Sequence, residues 1–216
     1  MRHHELRAAA LPHRAQRCTL RLLHLFGWSL RYKLLPGRHG VIIIYPHTSH
    51  WDVVVGLLAK WALGLPFRWV VKESLLRGVA GKTIGPLLRA LGAIPSAGDV
   101  ASGSTAQLAE RMRGSDWFWL ALAPEGARAY RPHWRSGFYH LAMAARVPVV
   151  LVYLDYASKE IGIVDSVRLS GDQNADMAGI AAVYRGRTGR HPDRASPVTL
   201  APPASGDSGD SGKQAR

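Results

Sequence analysis

The run V147-P-V-V-L-V-Y-L154 constrains the fold most, because it carries no charged side chain and is apolar at nearly every position rather than at alternate ones. A strand of that kind must be buried on both faces, which happens inside a sheet covered on both sides by helices. V41-I-I-I-Y45, bounded by Gly40 and Pro46, is a second such run, and R68-W-V-V-K72 and W117-F-W-L-A-L-A123 read as further strands. Between them, Asp52–Leu63, Ser104–Met112 and Gly137–Ala145 read as helices, and Ser74–Leu91 as helical pieces broken around Gly78, Gly81 and Gly85-Pro86. Ala93–Pro95 reads as a short strand. After Asp155 the chain predicts a strand or hairpin, then a helix over Asn174–Tyr184. Strands alternating with helices give an α/β domain built on a largely parallel, mixed sheet flanked by helices.

The flanks differ from this middle. Eight Arg and Lys against the single acid Glu5 fall within the first 40 residues, so more than half of the net charge of +13 sits there. From Cys18 to Leu35, a helix would gather Leu22, Leu23, Phe26 and Leu30 on one face and leave Arg21, Arg31 and Lys33 elsewhere. Such a basic amphipathic helix suits either a membrane surface or packing onto the domain. From about Pro192 the chain is rich in Pro, Ser, Gly and Asp, a composition that predicts disorder. The expected division is 1–36 as a basic amphipathic N-terminal segment, 37–190 as the folded domain, and 191–216 as a disordered tail. The longest stretch free of Lys, Arg, Asp and Glu, His39–Trp51, contains three histidines and a proline. That falls short of the about 20 apolar residues a bilayer-spanning helix needs, and no signal-peptide core is present at the start. One cysteine, Cys18, excludes an internal disulfide scaffold.

Two loops directly after strands hold the polar residues that could carry chemistry, and ligands of open α/β sheets bind beyond the carboxyl ends of strands. The first is P46-H-T-S-H-W-D52. His47 and Asp52 would lie about 140° apart on a regular helix, so they meet only with His47 in the loop and Asp52 in the first helical turn. Ser49-x-x-Asp52 reads as a helix N-terminus that would arrange this. A His held by a carboxylate is a general base of fixed tautomer; the plainer alternative is a helix cap beside an ordinary loop histidine. His47, His50 and Asp52, with His133 or His140, also allow a metal reading, but no second ligand cluster supports it and no metal is expected. The second loop is P124-E-G-A-R128, followed by Arg131 and Arg135. Gly126 permits close backbone approach and Arg128 presents a fork suited to phosphate, the alternative being a surface Glu–Arg turn.

Together these blocks resemble the glycerolipid acyltransferase family typified by 1-acylglycerol-3-phosphate acyltransferase, in its short bacterial subgroup. H47-T-S-H-W-D52 is similar to its H-x4-D motif, P124-E-G-A-R128 to its P-E-G-T-R, K72-E-S-L75 to its K-x-E-L block, and V147-P-V-V150 to its final strand. W134-R-S-G-F-Y139 and D155-Y-A-S-K-E-I-G162 extend the likeness to about Tyr184. The resemblance implies an acyltransferase domain over 37–190. It makes His47 the general base oriented by Asp52, and Lys72, Glu125, Gly126 and Arg128 the acceptor site. The implied reaction moves a fatty acyl chain from acyl-CoA or acyl carrier protein to a lysophospholipid hydroxyl, with no metal or redox cofactor. The implied location is peripheral, on an anionic surface at the cytoplasmic face of the inner membrane. Ala127 stands where the family has Thr, and His50 where the subgroup often has Asn. G92-A-I-P95 continues Ser96-Ala97-Gly98-Asp99, without the family's phosphate-binding arginine. Those departures keep open a non-phosphate acceptor, or a lipid-binding member without activity. Nucleic acid, the other partner for a basic chain, is not expected, because Trp117, Trp119 and R68-W-V-V-K72 read as core strands rather than a basic, aromatic sheet face.

Overall fold

A computed structural model describes residues 13–71, 82–95 and 102–201 of the chain. Lys72 with the rest of the K72-E-S-L75 block, most of the helical pieces expected after Ser74, and Ser96–Asp99 lie outside the described residues. Seven strands form one sheet: β1 (Ser29–Arg31), β2 (His39–Tyr45), β3 (Arg68–Val71), β4 (Ala93–Pro95), β5 (Phe118–Leu122), β6 (Val149–Asp155) and β7 (Glu160–Val167). Their order is β1-β7-β6-β2-β5-β3-β4. From β6 to β4 every neighbour pairs in parallel, β7 runs antiparallel to β6, and β1 is parallel to β7. The sheet is therefore mixed and largely parallel.

Alternation along the strands sorts the core into two layers. Val41, Ile43, Phe118, Leu120, Val149 and Leu151 face α4 (Ser102–Arg113), α5 (Gly137–Ala145) and α6 (Gln173–Tyr184). Ile42, Trp119, Ala121, Val150, Val152 and Leu154 face α1 (His13–Leu25) and α2 (Trp51–Leu63); a short α3 (Gly85–Ala90) precedes β4. Covering both faces is what the all-apolar strands require. Gly40 is fixed by one close approach: a Cβ there would sit 2.1 Å from the buried Trp119 ring paired across from it.

Four expectations are corrected. The N-terminal helix stops at Leu25 rather than running on to Leu35, because Gly27 takes a left-handed φ of 77° and the chain then enters β1. Leu22, Leu23, Phe26 and Leu30 do not share one apolar face: Leu23 is fully buried, Leu22 and Phe26 are exposed, and Leu30 belongs to β1. Of the segment expected to stand apart as 1–36, the described residues 13–36 are built into the domain, since α1 packs on α2, β1 pairs with β7, and Leu23, Trp28 and Leu35 join the core. At the other end, residues 191–201 are ordered. They include a 3-10 turn at Pro192–Arg194, a fully buried Ser196 and a bridge from Leu200 to Trp134. Composition failed there because that segment is tied down by backbone hydrogen bonds to other elements rather than by apolar content.

Candidate active site

β2 and β5 are adjacent and parallel, so the loops that leave their carboxyl ends emerge side by side. The β2 loop begins at a cis Tyr45–Pro46 bond. Ser49 then starts α2 as the sequence pattern predicts: its Oγ accepts from the Trp51 amide at 3.2 Å, and its own amide donates to Asp52 Oδ2 at 2.8 Å. This reciprocal cap turns the Asp52 carboxylate back toward the loop, where His47 Nδ1 lies 3.1 Å from Oδ2. The remaining oxygen, Oδ1, accepts from the Tyr156 hydroxyl at 2.6 Å. Asp52 is only 3% exposed. Burial pushes its carboxyl upward, but the hydrogen bonds from His47, Tyr156 and Ser49 outweigh burial and hold it below the ordinary carboxylate value. An ionised carboxylate on Nδ1 makes that nitrogen the proton-bearing one and leaves Nε2 of the half-buried His47 ring to take a proton.

The β5 loop locks the first loop in place. Glu125 is 0% exposed; its Oε2 accepts from the His47 amide at 2.6 Å and its Oε1 from the Ser196 amide at 2.9 Å. Burial drives this carboxyl up to about 7 against the pull of the two amides and of His47. Gly126 follows with φ 68°, and a Cβ on it would lie 2.6 Å from the Arg135 side chain, so glycine lets Arg135 fold across the loop. Arg128 is half-buried on the same loop, whereas His50, beside the dyad in sequence, is exposed. Among the described residues no group of three or more His, Cys, Asp or Glu is arranged to hold a metal, so His47, His50 and Asp52 do not converge as a ligand set.

The structure thus gathers His47, Asp52 and Glu125, with Gly126 and Arg128 next in line; Lys72 lies outside the described residues. It adds partners the sequence reading missed. Tyr156 directly follows β6, 104 residues from Asp52; the D155-Y-A-S-K-E-I-G162 block contains it, but nothing in that block points to Asp52. Residues 188–200 form a strap over both loops. The Thr188 carbonyl accepts from the Tyr156 amide and the Thr188 amide donates to the Asp155 carboxylate, the His191 amide donates to buried Thr48 Oγ1 at 3.1 Å, and Ser196 Oγ accepts from the Arg131 amide.

A protein-family model described as Acyltransferase matches residues 30–155 of the chain. No curated protein matches it. The fold is similar to that of the 1-acyl-sn-glycerophosphate (LPA) acyltransferase PlsC from Thermotoga maritima. The TM-score is 0.52 and the identity 14%, over 80% of this chain and 76% of that chain, a likeness of fold.

Proposed function

This chain belongs to the acyltransferase family, and from that premise we propose that it transfers a fatty acyl chain from acyl-CoA or acyl carrier protein to the hydroxyl of a lysophospholipid such as 1-acylglycerol-3-phosphate. The observation that carries the reading is the 3.1 Å contact between His47 Nδ1 and Asp52, set beside the Glu125 loop at the ends of two parallel strands. His47 Nε2 takes the proton of the acceptor hydroxyl as its oxygen attacks the thioester carbonyl. The ester C–O bond forms, the C–S bond breaks, and the proton passes to the departing thiolate. Asp52 holds the ring and offsets the charge of the imidazolium. Glu125 acts through the backbone, fixing His47 on the acceptor side of the site, while Gly126, Arg128 and Lys72 supply the acceptor's polar surroundings.

Lyso-lipid acceptors reside in membranes, and no described helix is long and apolar enough to cross one. Leu25 and Phe26, 79% and 60% exposed at the end of the basic α1, support a peripheral position on an anionic surface at the cytoplasmic face of the inner membrane.

The test is acyl transfer followed by mass spectrometry, with both donors and a panel of lyso-lipids. His47→Ala should lower kcat by about 10²–10⁴-fold, the span of a positioned general base, with the fold intact by circular dichroism. Asp52→Asn should lower it strongly. A dead His50→Ala beside an active His47→Ala would move the base to His50 and sink the assignment.

A further inference from the structure

Two arginines at the start of the strap, Arg187 just before it and Arg190 within it, have different obligations. Arg187 is committed: it lies 3.5 Å from the Asp155 carboxylate and stacks on the Tyr153 ring at 3.7 Å. Arg190 has no carboxylate partner among the described residues. Its guanidinium lies 5.7 Å from the ring centre of Trp51, which is 55% exposed and directly precedes Asp52. Its positive charge also acts on the nearby Tyr156 hydroxyl, countering the burial that pushes that group up, and the same hydroxyl bonds Asp52. The exposed Arg190 therefore stands over Trp51, the residue before Asp52, on the Tyr156 side of the Tyr156–Asp52–His47 chain.

Its backbone is held firmly. Gly189 is buried so closely that a Cβ would lie 2.7 Å from Thr48 Oγ1, and the next amide, His191, donates to that same oxygen. A guanidinium lying over an indole keeps the edge of its planar fork free, and that edge matches two oxygens of a phosphate. The position answers a gap in the sequence: G92-A-I-P95 is followed by no arginine before Ala101.

We propose that Arg190 is the phosphate-binding residue of this acyltransferase site, gripping a phosphate group of a substrate beside Trp51 at the mouth of the dyad. The inference rests on the acyl-transfer reading and adds a substrate-binding residue from beyond the 30–155 segment that the family model matches. The phosphate belongs either to a phosphomonoester acceptor or to the donor, and kinetics separate the two.

The experiment compares wild type, Arg190→Ala and Arg190→Lys in the full chain with 1-acylglycerol-3-phosphate and uncharged monoacylglycerol as acceptors. Loss of a charge-assisted hydrogen-bond pair should shift the ratio of the two acceptors' KM values by about 10- to 100-fold in the Ala variant, with partial recovery in Lys. A rise confined to the donor KM assigns the grip to the donor's phosphate. No KM change toward any phosphate-bearing substrate, or an equal rise in the KM of both acceptors with the donor KM unchanged, overturns the proposal. A second arm needs no turnover: glycerol 3-phosphate is titrated against 15N-labelled protein while the Trp51 indole signal is followed, assigned through Trp51→Phe. Arg190-dependent binding without acyl transfer would leave this inference standing and remove the proposed reaction. Acyl transfer with phosphate binding indifferent to Arg190 would do the reverse.

Discussion

Asp52 is the residue on which the site turns, because three donors converge on one nearly inaccessible carboxylate. Removing the Tyr156 hydroxyl loosens the carboxylate that holds His47 and leaves the Ser49 cap bonds in place. Tyr156→Phe keeps the ring, which meets Trp28 edge-on at 4.9 Å, and deletes only the hydroxyl. It should lower kcat about tenfold and stability by about 1–3 kcal/mol, the range for a hydrogen bond to a charged group, measured by steady-state kinetics and urea unfolding. Glu125 behaves in the opposite sense. Its native carboxyl keeps its proton up to about 7 whereas the unfolded one releases it near 4.5. Between those values the native state binds more protons, so stability falls as pH rises through the window and levels off above it. The difference amounts to at most about 3 kcal/mol. Urea unfolding at pH 5 and pH 8 should show that decline in wild type and a flatter profile in Glu125→Gln. The variant should also be weaker at both pH values, since its amide can accept from only one of the His47 and Ser196 N–H groups. Identical pH profiles would rule out Glu125 as the source.

Elements with a local signature were legible from sequence alone. Val147–Leu154 marks β6 to within two residues, Gly137–Ala145 is α5 as read, and Ser49-x-x-Asp52 foretold the cap that brings Asp52 to His47. Elements defined by a distant partner were not. β1 is three residues whose direction is set by β7, across the antiparallel turn from β6, and its sequence S-L-R says nothing of that. The strap is the larger miss: its order comes from backbone amides reaching Thr48 and Glu125 and from a backbone carbonyl reaching Tyr156, contacts that composition cannot express. Gly189→Ala tests the element directly. The added methyl meets Thr48 and Pro46, so stability should drop by about 1–3 kcal/mol, as for overpacked sites. kcat should drop with it, although residue 189 touches neither His47 nor Asp52. A wild-type melting temperature and rate for Gly189→Ala would show the strap to be an ornament.

Across the whole molecule, charge and exposed apolar surface meet at the N-terminal end, where Leu25, Phe26 and Leu34 stand out beside Arg21, Arg31 and Lys33. Deleting the first 36 residues would also remove β1, Leu23, Trp28 and Leu35 from sheet and core, so the membrane reading is better tested at the surface. Leu25→Asp with Phe26→Asp should cut sedimentation with anionic vesicles about tenfold or more, since burying each such side chain is worth about 1.5–3 kcal/mol, while the melting temperature stays put. Unaltered sedimentation would remove α1 from the interface. The strap has a consequence in time as well as in space. Thr48 and His191 are 143 residues apart along the chain, and at ribosomal rates of about 5–20 residues per second that separation lasts roughly 7 to 30 s. A growing chain therefore displays its basic, apolar-tipped first helix well before it owns a closed dyad. On the proposed membrane reading, the polypeptide reaches a lipid surface as an unfinished scaffold and acquires chemistry only when the 188–200 strap is released.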